Sequence, residues 1–403
     1  MGLNNTPSAE RIHIGIFGKR NAGKSSIINA ITGQDLAVVS DVSGTTTDPV
    51  SKSMELLPLG PVLIIDTPGI DDVGELGALR VAKSYQVLRK TDIAVLVVSG
   101  EEGISAEDEK LLSRIRRNKI PYVVAINKAD QMQQVPEPSD GNTIYVSAAQ
   151  NWHIRELKDL IAAQYHAPQE KLQIVGDLLS PSDFAVLVIP IDKAAPKGRL
   201  ILPQQQAIRD ILEADATAVV CKEYELQETL ASLGKKPKIV ITDSQVFAKV
   251  SADTPKDILL TSFSILMARY KGNLEELVKG VTAINTLKDG DKVLIGEGCT
   301  HHRQCDDIGT VKIPRWIRDY TGVDPEFVSC SGTEFPEDLS QFKMIVHCGG
   351  CMLNEREMKY RVACAQDEGI PITNYGVLIA YMQGILKRSV QAFPSIAMYL
   401  EDE

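Results

Sequence analysis

Along residues 12–165, short runs of β-branched and aliphatic residues alternate with stretches whose apolar positions recur every three to four residues. The runs at 12–17, 62–65, 93–98, 122–126 and 143–146 are apolar at nearly every position, as strands covered on both faces must be. Helical spacing falls between them, at 24–32, 76–89 and 107–117. This alternation predicts an α/β domain with a mostly parallel sheet and helices on both faces. Ligands of such sheets bind beyond the carboxyl ends of the strands.

The pattern repeats further along. Strands are predicted at 184–191, 217–221, 238–241 and 258–260, with helices at 204–213, 226–233 and 244–250. Pro190, Pro196 and Pro203 punctuate the start of this stretch. It carries no phosphate-type loop and no cluster of catalytic residue types, so its reading is a structural or dimerisation domain. A helical pattern at 265–284 leads into a third section with strands at 292–295 and 343–347 and helices at 314–320, 355–368 and 377–388. The segment 131–142 reads as a loop. The expected fold is α/β in three domains, at 1–170, 171–264 and 265–403.

Composition narrows the function. At ~150 residues per domain, 403 residues suit two or three domains. The chain has 43 Lys and Arg against 53 Asp and Glu, a net charge of −10, which argues against a strongly basic nucleic-acid binder. Seven cysteines, an odd number in a long chain, do not resemble a secreted disulfide framework. They suit a reducing compartment. The first eleven residues are polar, and no run reaches the ~18 apolar residues of a membrane helix. The expectation is a soluble, cytoplasmic protein that engages neither membrane nor nucleic acid.

Gly18-Lys19-Arg20-Asn21-Ala22-Gly23-Lys24-Ser25 matches G-x-x-x-x-G-K-[ST] between a predicted strand and a predicted helix, the context that confirms the motif. Its glycines let backbone amides curl around phosphate oxygens at a helix N-terminus. Lys24 is expected to reach the β- and γ-phosphates, Ser25 to ligate Mg²⁺ and Ser26 to line the nucleotide site. Asp66-Thr67-Pro68-Gly69 matches D-x-x-G, with Asp66 holding Mg²⁺ and the Gly69 amide sensing the γ-phosphate. Asn127-Lys128-Ala129-Asp130 matches N-K-x-D, whose carboxylate accepts hydrogen bonds from guanine and not from adenine. Ser147-Ala148-Ala149 closes the next strand, where a backbone amide would touch the base.

In register, these elements resemble the translation-factor-like GTPases of the Era and TrmE-like group. Gly44-Thr45-Thr46-Thr47-Asp48 looks like that group's switch, which implies Thr46 as a Mg²⁺ and γ-phosphate ligand, with Thr45 as fallback. The candidate catalytic set is Lys24, Thr46, Asp66 and Gly69. Ile70 stands where Ras-type enzymes carry a water-positioning Gln. Related GTPases with an apolar residue there often use K⁺, and Asn21 matches the asparagine associated with that ion; the alternative is that Asn21 only shapes the loop. Switch loops at 40–48 and 69–77 would order around the γ-phosphate and relax after hydrolysis.

A second constellation is Cys299-Thr300-His301 with, further on, Cys348-Gly349-Gly350-Cys351. Three thiolates and an imidazole suit either a structural zinc ion or a [4Fe–4S] cluster with an exchangeable fourth position. The remaining cysteines, Cys221, Cys305, Cys330 and Cys364, read as packed thiols. Glu355-Arg356-Glu357-Met358-Lys359 reads as a solvated helix face with i,i+4 pairs.

The GTPase motifs, an intermediate α/β domain and C-x-H…C-x-x-C together resemble the HydF family of [FeFe]-hydrogenase maturation GTPases, over the whole chain. That resemblance implies a P-loop GTP-binding domain at 1–170, an α/β dimerisation domain at 171–264 and an α/β iron-sulfur domain at 265–403, with a [4Fe–4S] cluster on Cys299, Cys348 and Cys351. His301 is the family-motif candidate for the fourth ligand, with His302, Cys305, Glu401 and Glu403 as alternatives. It also implies a scaffold or carrier of a transient two-iron subcluster precursor, radical-SAM maturases and apo-[FeFe]-hydrogenase as partners, and a homodimer. The competing expectation is an RNA-modification or ribosome-assembly GTPase with a structural zinc site, which predicts a basic RNA-binding module.

Overall fold

The computed structural model describes residues 6–33, 49–70, 75–138, 140–165, 173–191, 200–272, 274–298, 308–332, 334–336 and 338–400. The chain forms two compact units, Met1–Gln169 and Glu170–Glu403.

The first unit has strands β1 (Ile12–Phe17), β2 (Val50–Leu56), β3 (Gly60–Asp66), β4 (Ile93–Ser99), β5 (Tyr122–Asn127) and β6 (Thr143–Tyr145). They lie in the order β2-β3-β1-β4-β5-β6. Every ladder is parallel apart from β2 on β3. Helices α1 (Lys24–Thr32), α2 (Glu75–Arg89), α3 (Ala106–Arg117) and α4 (Ile154–Ala163) cover the sheet. Alternation along the strands divides them between two faces. Ile14, Ile16, Val95 and Val97 pack with Ile27 and Ile31 of α1 and Leu157 and Ile161 of α4. Phe17, Ile65, Leu96 and Val98 pack with Val87 and Leu88 of α2 and Leu111 and Ile115 of α3. All seven positions of β4 are buried, the signature of a central parallel strand. Helix α3 starts where its capping box dictates: Asp108 Oδ2 accepts from the Ser105 amide at 2.9 Å, and Ser105 Oγ accepts from the Asp108 amide at 3.4 Å.

Two elements escaped the hydrophobic pattern. β2 is a largely exposed edge strand with no apolar run. Helix α4 buries Ile154, Leu157 and Ile161 at helical spacing, a signal present in the sequence but not read there. The second predicted switch loop, 69–77, is shortened because α2 already begins at Glu75.

The second unit holds two sheets. Strands β7 (Phe184–Val188), β8 (Thr217–Cys221), β9 (Ile239–Thr242) and β10 (Leu259–Ser262) lie in the order β10-β9-β7-β8, all parallel. Helices α5 (Leu202–Glu213), α6 (Leu226–Ser232), α7 (Phe247–Asp253), α8 (Phe263–Lys271) and α9 (Leu274–Val281) accompany and follow them. Strands β11 (Lys292–Glu297), β12 (Glu326–Ser331), β13 (Met344–His347) and β14 (Ile372–Asn374) lie in the order β12-β11-β13-β14, also all parallel. Helices α10 (Ile313–Thr321), α11 (Glu355–Asp367), α12 (Tyr375–Met382), α13 (Leu386–Ser389) and α14 (Pro394–Ala397) complete the unit. One contiguous core joins both sheets, from Val186 and Ile241 to Leu294 and Val346.

Several predicted helices are broken. The 265–284 pattern is α8, α9 and a short 3₁₀ turn, with Gly272 ending the first. The 377–388 pattern divides into α12 and α13 at Gly384, whose φ of +69° no helix continues. The strand predicted at 184–191 stops at Val188, ahead of Pro190, which cannot donate to a ladder. β12 and β14 were not anticipated, one being half exposed and the other three residues long. Among the described residues no helix is long and apolar enough to cross a membrane.

Candidate functional site

Chemistry-bearing residues of the first unit gather at the carboxyl edge of its sheet. After β1 the chain turns through Gly18 (φ +144°), Asn21 (φ +59°) and Gly23 (φ +91°) and enters α1 at Lys24. A side chain at Gly18 would strike the Val97 carbonyl, and one at Gly23 the Asn127 amide, so the loop lies hard against β4 and β5. As the N-cap, Gly23 offers no side-chain acceptor to the first amides of α1, whose positive end addresses the loop. Lys24 Nζ donates to the carbonyls of Gly18 at 2.9 Å and Lys19 at 2.7 Å.

Asp66 ends β3 and is only 7% exposed. Its Oδ2 accepts from Ser25 Oγ at 3.1 Å, while its Oδ1 has no protein partner. Burial pushes this carboxyl above its usual range, against the pull of the Lys24 charge and the Ser25 hydroxyl. A buried carboxylate oxygen without a partner, beside a serine hydroxyl, suits a hard divalent cation. Thr67 Oγ1 donates to the Ile16 carbonyl at 2.7 Å and Ser84 Oγ to the Pro68 carbonyl at 3.0 Å, pinning this turn between β1 and α2. Gly69 follows, and Ile70 is buried with Phe17 and Leu63, so its side chain belongs to the core.

Asn127 ends β5 with 3% exposure and binds three loops together. Its Nδ2 donates to the Ala22 carbonyl at 3.1 Å, and its Oδ1 accepts from the Ala148 amide at 3.1 Å. Lys128 takes a φ of +61° and pairs with Glu101 at 3.6 Å. The Asp130 carboxylate stands exposed in the next turn. Ser147 is buried, its Oγ accepting from the Gln150 amide at 3.1 Å. Thr46 and the rest of 44–48 lie outside the described residues.

In the second unit, Gly296 of β11 and His347 of β13 are partners in a parallel ladder, so both chains leave the sheet at one edge. Cys348 Sγ accepts from the amides of Gly298 at 3.0 Å and Gly350 at 3.4 Å. Gly350 has a φ of +60°, and a Cβ there would meet Met358 Sδ at 2.5 Å, so the turn is built for glycine. Amide donation to sulfur is the environment that thiolate metal ligands and cluster sulfurs require. Burial pushes the Cys351 thiol up, with Cys348 adding to the effect and the Lys271 charge opposing it. Cys299, the residue after Gly298, lies outside the described residues, as do His301, His302, Cys305, Glu401 and Glu403. Among the described residues no group of three or more His, Cys, Asp or Glu side chains is placed to hold a metal ion. Of the remaining thiols, Cys221 is buried at the end of β8, and Cys330 and Cys364 are half-buried.

A buried polar network stands behind this turn. Arg361 is fully buried and bonds Glu357 Oε1 at 2.9 Å, the Gly332 carbonyl at 2.6 Å and His347 Nε2 at 2.8 Å. Guanidinium groups only donate, so Nε2 accepts, and the His347 proton sits on Nδ1, donated to the Cys348 carbonyl at 2.7 Å. Burial, then the Arg361 charge, drives the His347 pKa down to about 3, so the ring is neutral. Glu357 therefore does not lie on a solvated face as its surroundings in the sequence suggested. Glu355 and Lys359, an i,i+4 pair at 2.5 Å, do.

Three family models match consecutive parts of the chain. A 50S ribosome-binding GTPase model covers residues 13–128, a hydrogen maturase F dimerization domain 174–272 and a hydrogen maturase F tetramerization domain 275–392. The chain belongs to the HydF family of hydrogenase maturation GTPases. Its first unit carries a GTPase domain and is similar to other GTPases. The tRNA modification GTPase MnmE of Nitrosomonas eutropha is 30% identical over 156 residues, 38% of this chain and 34% of that protein. GTPase Der of Maridesulfovibrio salexigens is 36% identical over 130 residues, 30% of this chain and 28% of that protein. The chain thus spans about a third of the length of the curated relatives it matches. Among solved structures, Aquifex aeolicus Era bound to GDP·AlF4⁻ is 18% identical, with 55% of this chain and 98% of that chain covered and a TM-score of 0.36. The two hydrogen maturase F models fall on the unit that carries Cys348 and Cys351 and point to oligomerisation.

The motifs did not reveal His347, Glu357, Arg361 or Lys271, the buried groups around the cysteine turn. The one available sign was Glu357 four residues before Arg361 on a predicted helix. Arg361→Met should lower the stability of the chain by about 3–5 kcal/mol, since it strands the Glu357 carboxylate in the interior. Urea unfolding followed by circular dichroism measures this; a midpoint equal to the parent's would contradict the network's role.

Proposed function

We propose that this HydF-family chain is a GTP-hydrolysing scaffold or carrier, which holds a [4Fe–4S] cluster and assembles or delivers a two-iron subcluster precursor to apo-[FeFe]-hydrogenase. The observation that carries the reading is the joint presence of the 18–25, 66–69 and 127–130 motifs at one sheet edge and a cysteine turn whose amides face sulfur, on a chain matched by both hydrogen maturase F models. The unit Glu170–Glu403 would then comprise a dimerisation domain, 171–264, and a cluster domain, 265–403. Radical-SAM maturases and the apo-hydrogenase are the partners, a homodimer the working form and the cytoplasm the location.

On the GTPase side, Lys24 would bind the β- and γ-phosphates, with Gly18, Asn21, Ala22, Gly23 and Ser26 forming the rest of the cradle. Ser25, Asp66 and Thr46 would hold Mg²⁺, which offsets charge developing on the phosphates when bound. The Gly69 amide would report the γ-phosphate. Asn127 braces the base loop, Lys128, Ser147 and Ala148 flank the base, and Asp130 accepts from guanine. Because the Ile70 side chain is committed to the core, no residue there can orient the attacking water. Asn21, exposed at the loop tip, would hold a K⁺ ion whose charge assists in place of an arginine finger.

On the cluster side, Cys299, Cys348 and Cys351 would ligate iron, leaving a weak or exchangeable fourth position near His301. The cluster when bound supplies an open iron at which a metal fragment can dock.

Asp130→Asn should weaken GTP binding roughly 10- to 100-fold, the effect of losing 1–3 kcal/mol of paired hydrogen bonding. Titration with a fluescent GTP analogue reads it, and an unchanged affinity removes the guanine assignment. Hydrolysis should run faster in K⁺ than in Na⁺ buffer at equal ionic strength; equal rates remove the potassium role. After anaerobic purification or reconstitution, the parent chain should carry iron and sulfide, Cys348→Ser should lose both, and His301→Ala should keep them. Full iron retention in Cys348→Ser would sink the cluster site, and zinc in place of iron would favour a structural metal.

A further inference from the structure

Helix α8 ends in a lysine that the motif reading never singled out. Lys271 is 3% exposed, and its Nζ donates to the carbonyls of Gly350 at 3.5 Å, Cys351 at 3.2 Å and Leu353 at 3.0 Å. Three carbonyl oxygens match the three donors of an ammonium group. Lys271 comes from the stretch matched by the dimerization model, whereas the turn it grips belongs to the stretch matched by the tetramerization model. The bonds bracket Cys351 within the turn, and from the other direction the Gly298 and Gly350 amides converge on Cys348. A buried ammonium acts through a low local dielectric, so its field on neighbouring sulfur is far stronger than that of a surface lysine.

We propose that Lys271 is a positioning residue of the cysteine turn: it fixes the backbone around Cys351, and its positive charge raises the reduction potential of the metal centre held there. The inference rests on the cluster reading above. Reduction adds negative charge to a centre already bound by thiolates, and a fixed buried cation stabilises the reduced state more than the oxidised one. Glutamine keeps two N–H donors for the turn's carbonyls while removing that bias, methionine removes donors and charge together, and arginine restores the charge.

The test uses the full-length chain and its Lys271→Gln, Lys271→Met and Lys271→Arg variants, each reconstituted anaerobically with iron and sulfide. Iron and sulfide content are measured first, and the midpoint potential follows from a dithionite titration read by electron paramagnetic resonance. Lys271→Gln should raise the oxidised-to-reduced ratio at a fixed solution potential about tenfold or more, which for one electron is a fall of about 59 mV. Lys271→Met should shift in the same direction, and Lys271→Arg should return the ratio to within about threefold of the parent. An iron-loaded Lys271→Gln protein with the parent's midpoint overturns the proposal. So does a Lys271→Met variant that loses iron while Lys271→Gln keeps both iron and midpoint, because the lysine then only holds the turn and its charge does not tune the centre. A parent chain that takes up no iron and sulfide overturns the cluster reading itself, and the proposal with it.

Discussion

Parallel strand pairing governs where this protein can do chemistry. A strand can join such a ladder only by running in the same direction as its neighbour, so the chain must cross back outside the sheet before each new strand. Most of the crossovers contain helices, and the carboxyl ends of the parallel strands collect at one edge. In the first unit that edge receives the loops after β1, β3, β5 and β6, and therefore Gly18, Asp66, Asn127 and Ser147. In the second unit it receives the turns after β11 and β13, and therefore Gly298 and Cys348. Contacts between residues far apart in sequence, such as Asn127 with Ala22 and Ala148, follow from the register rather than from local preference.

Convergence alone does not make a site, because loops at a sheet edge are held weakly unless buried polar groups tie them down. Each edge has its own tie. Asn127 spends both ends of its amide on backbone groups of neighbouring loops, which holds the phosphate loop and the base loop in one frame. Around the cysteine turn the same work falls to charged groups: Lys271 grips three carbonyls and Arg361, through neutral His347, a fourth. Burying an ammonium and a guanidinium costs several kcal/mol each unless every donor is met. Here the acceptors are largely main-chain carbonyls, so the bonds that offset this desolvation also fix the backbone. A turn fixed in this way presents its sulfurs without further reorganisation, as the metal site proposed for it would need.

How far the sequence could reveal this depended on whether a signal was local. β1 and α1 are encoded by a contiguous apolar run and a contiguous loop motif, and both matched the pattern to the residue. β2 was missed because an exposed edge strand is not obliged to be apolar. The long helical patterns were overextended where a glycine, Gly272 or Gly384, ends a helix whose apolar spacing carries on beyond it. Glu357 looked like a surface charge because its i,i+4 spacing to Arg361 is the same whether the face meets water or core, and only the tertiary contact of Arg361 with His347 decides. Lys271 was invisible for the same reason, since its three acceptors lie about eighty residues further along the chain. The nucleotide residues are thus legible as motifs, and the groups that stiffen the cysteine turn emerge only from the tertiary structure.

The two edges also differ in the kind of metal they can hold, and this difference allows one chain to carry both proposed centres. Ser25 and Asp66 offer a hydroxyl and a carboxylate, hard oxygen donors that suit a small divalent cation such as Mg²⁺ and bind soft metals poorly. Cys348 and Cys351 offer sulfur with amide donors behind it, which favours zinc or iron-sulfur centres and has little affinity for magnesium. Donor chemistry therefore sorts the metals without a barrier between the sites. It also sets what nucleotide hydrolysis could act on. Mg²⁺ and phosphate can rearrange the loops that contact them, but they cannot exchange with a thiolate-bound cluster. Any influence of GTP on the proposed cluster centre would then pass through protein contacts.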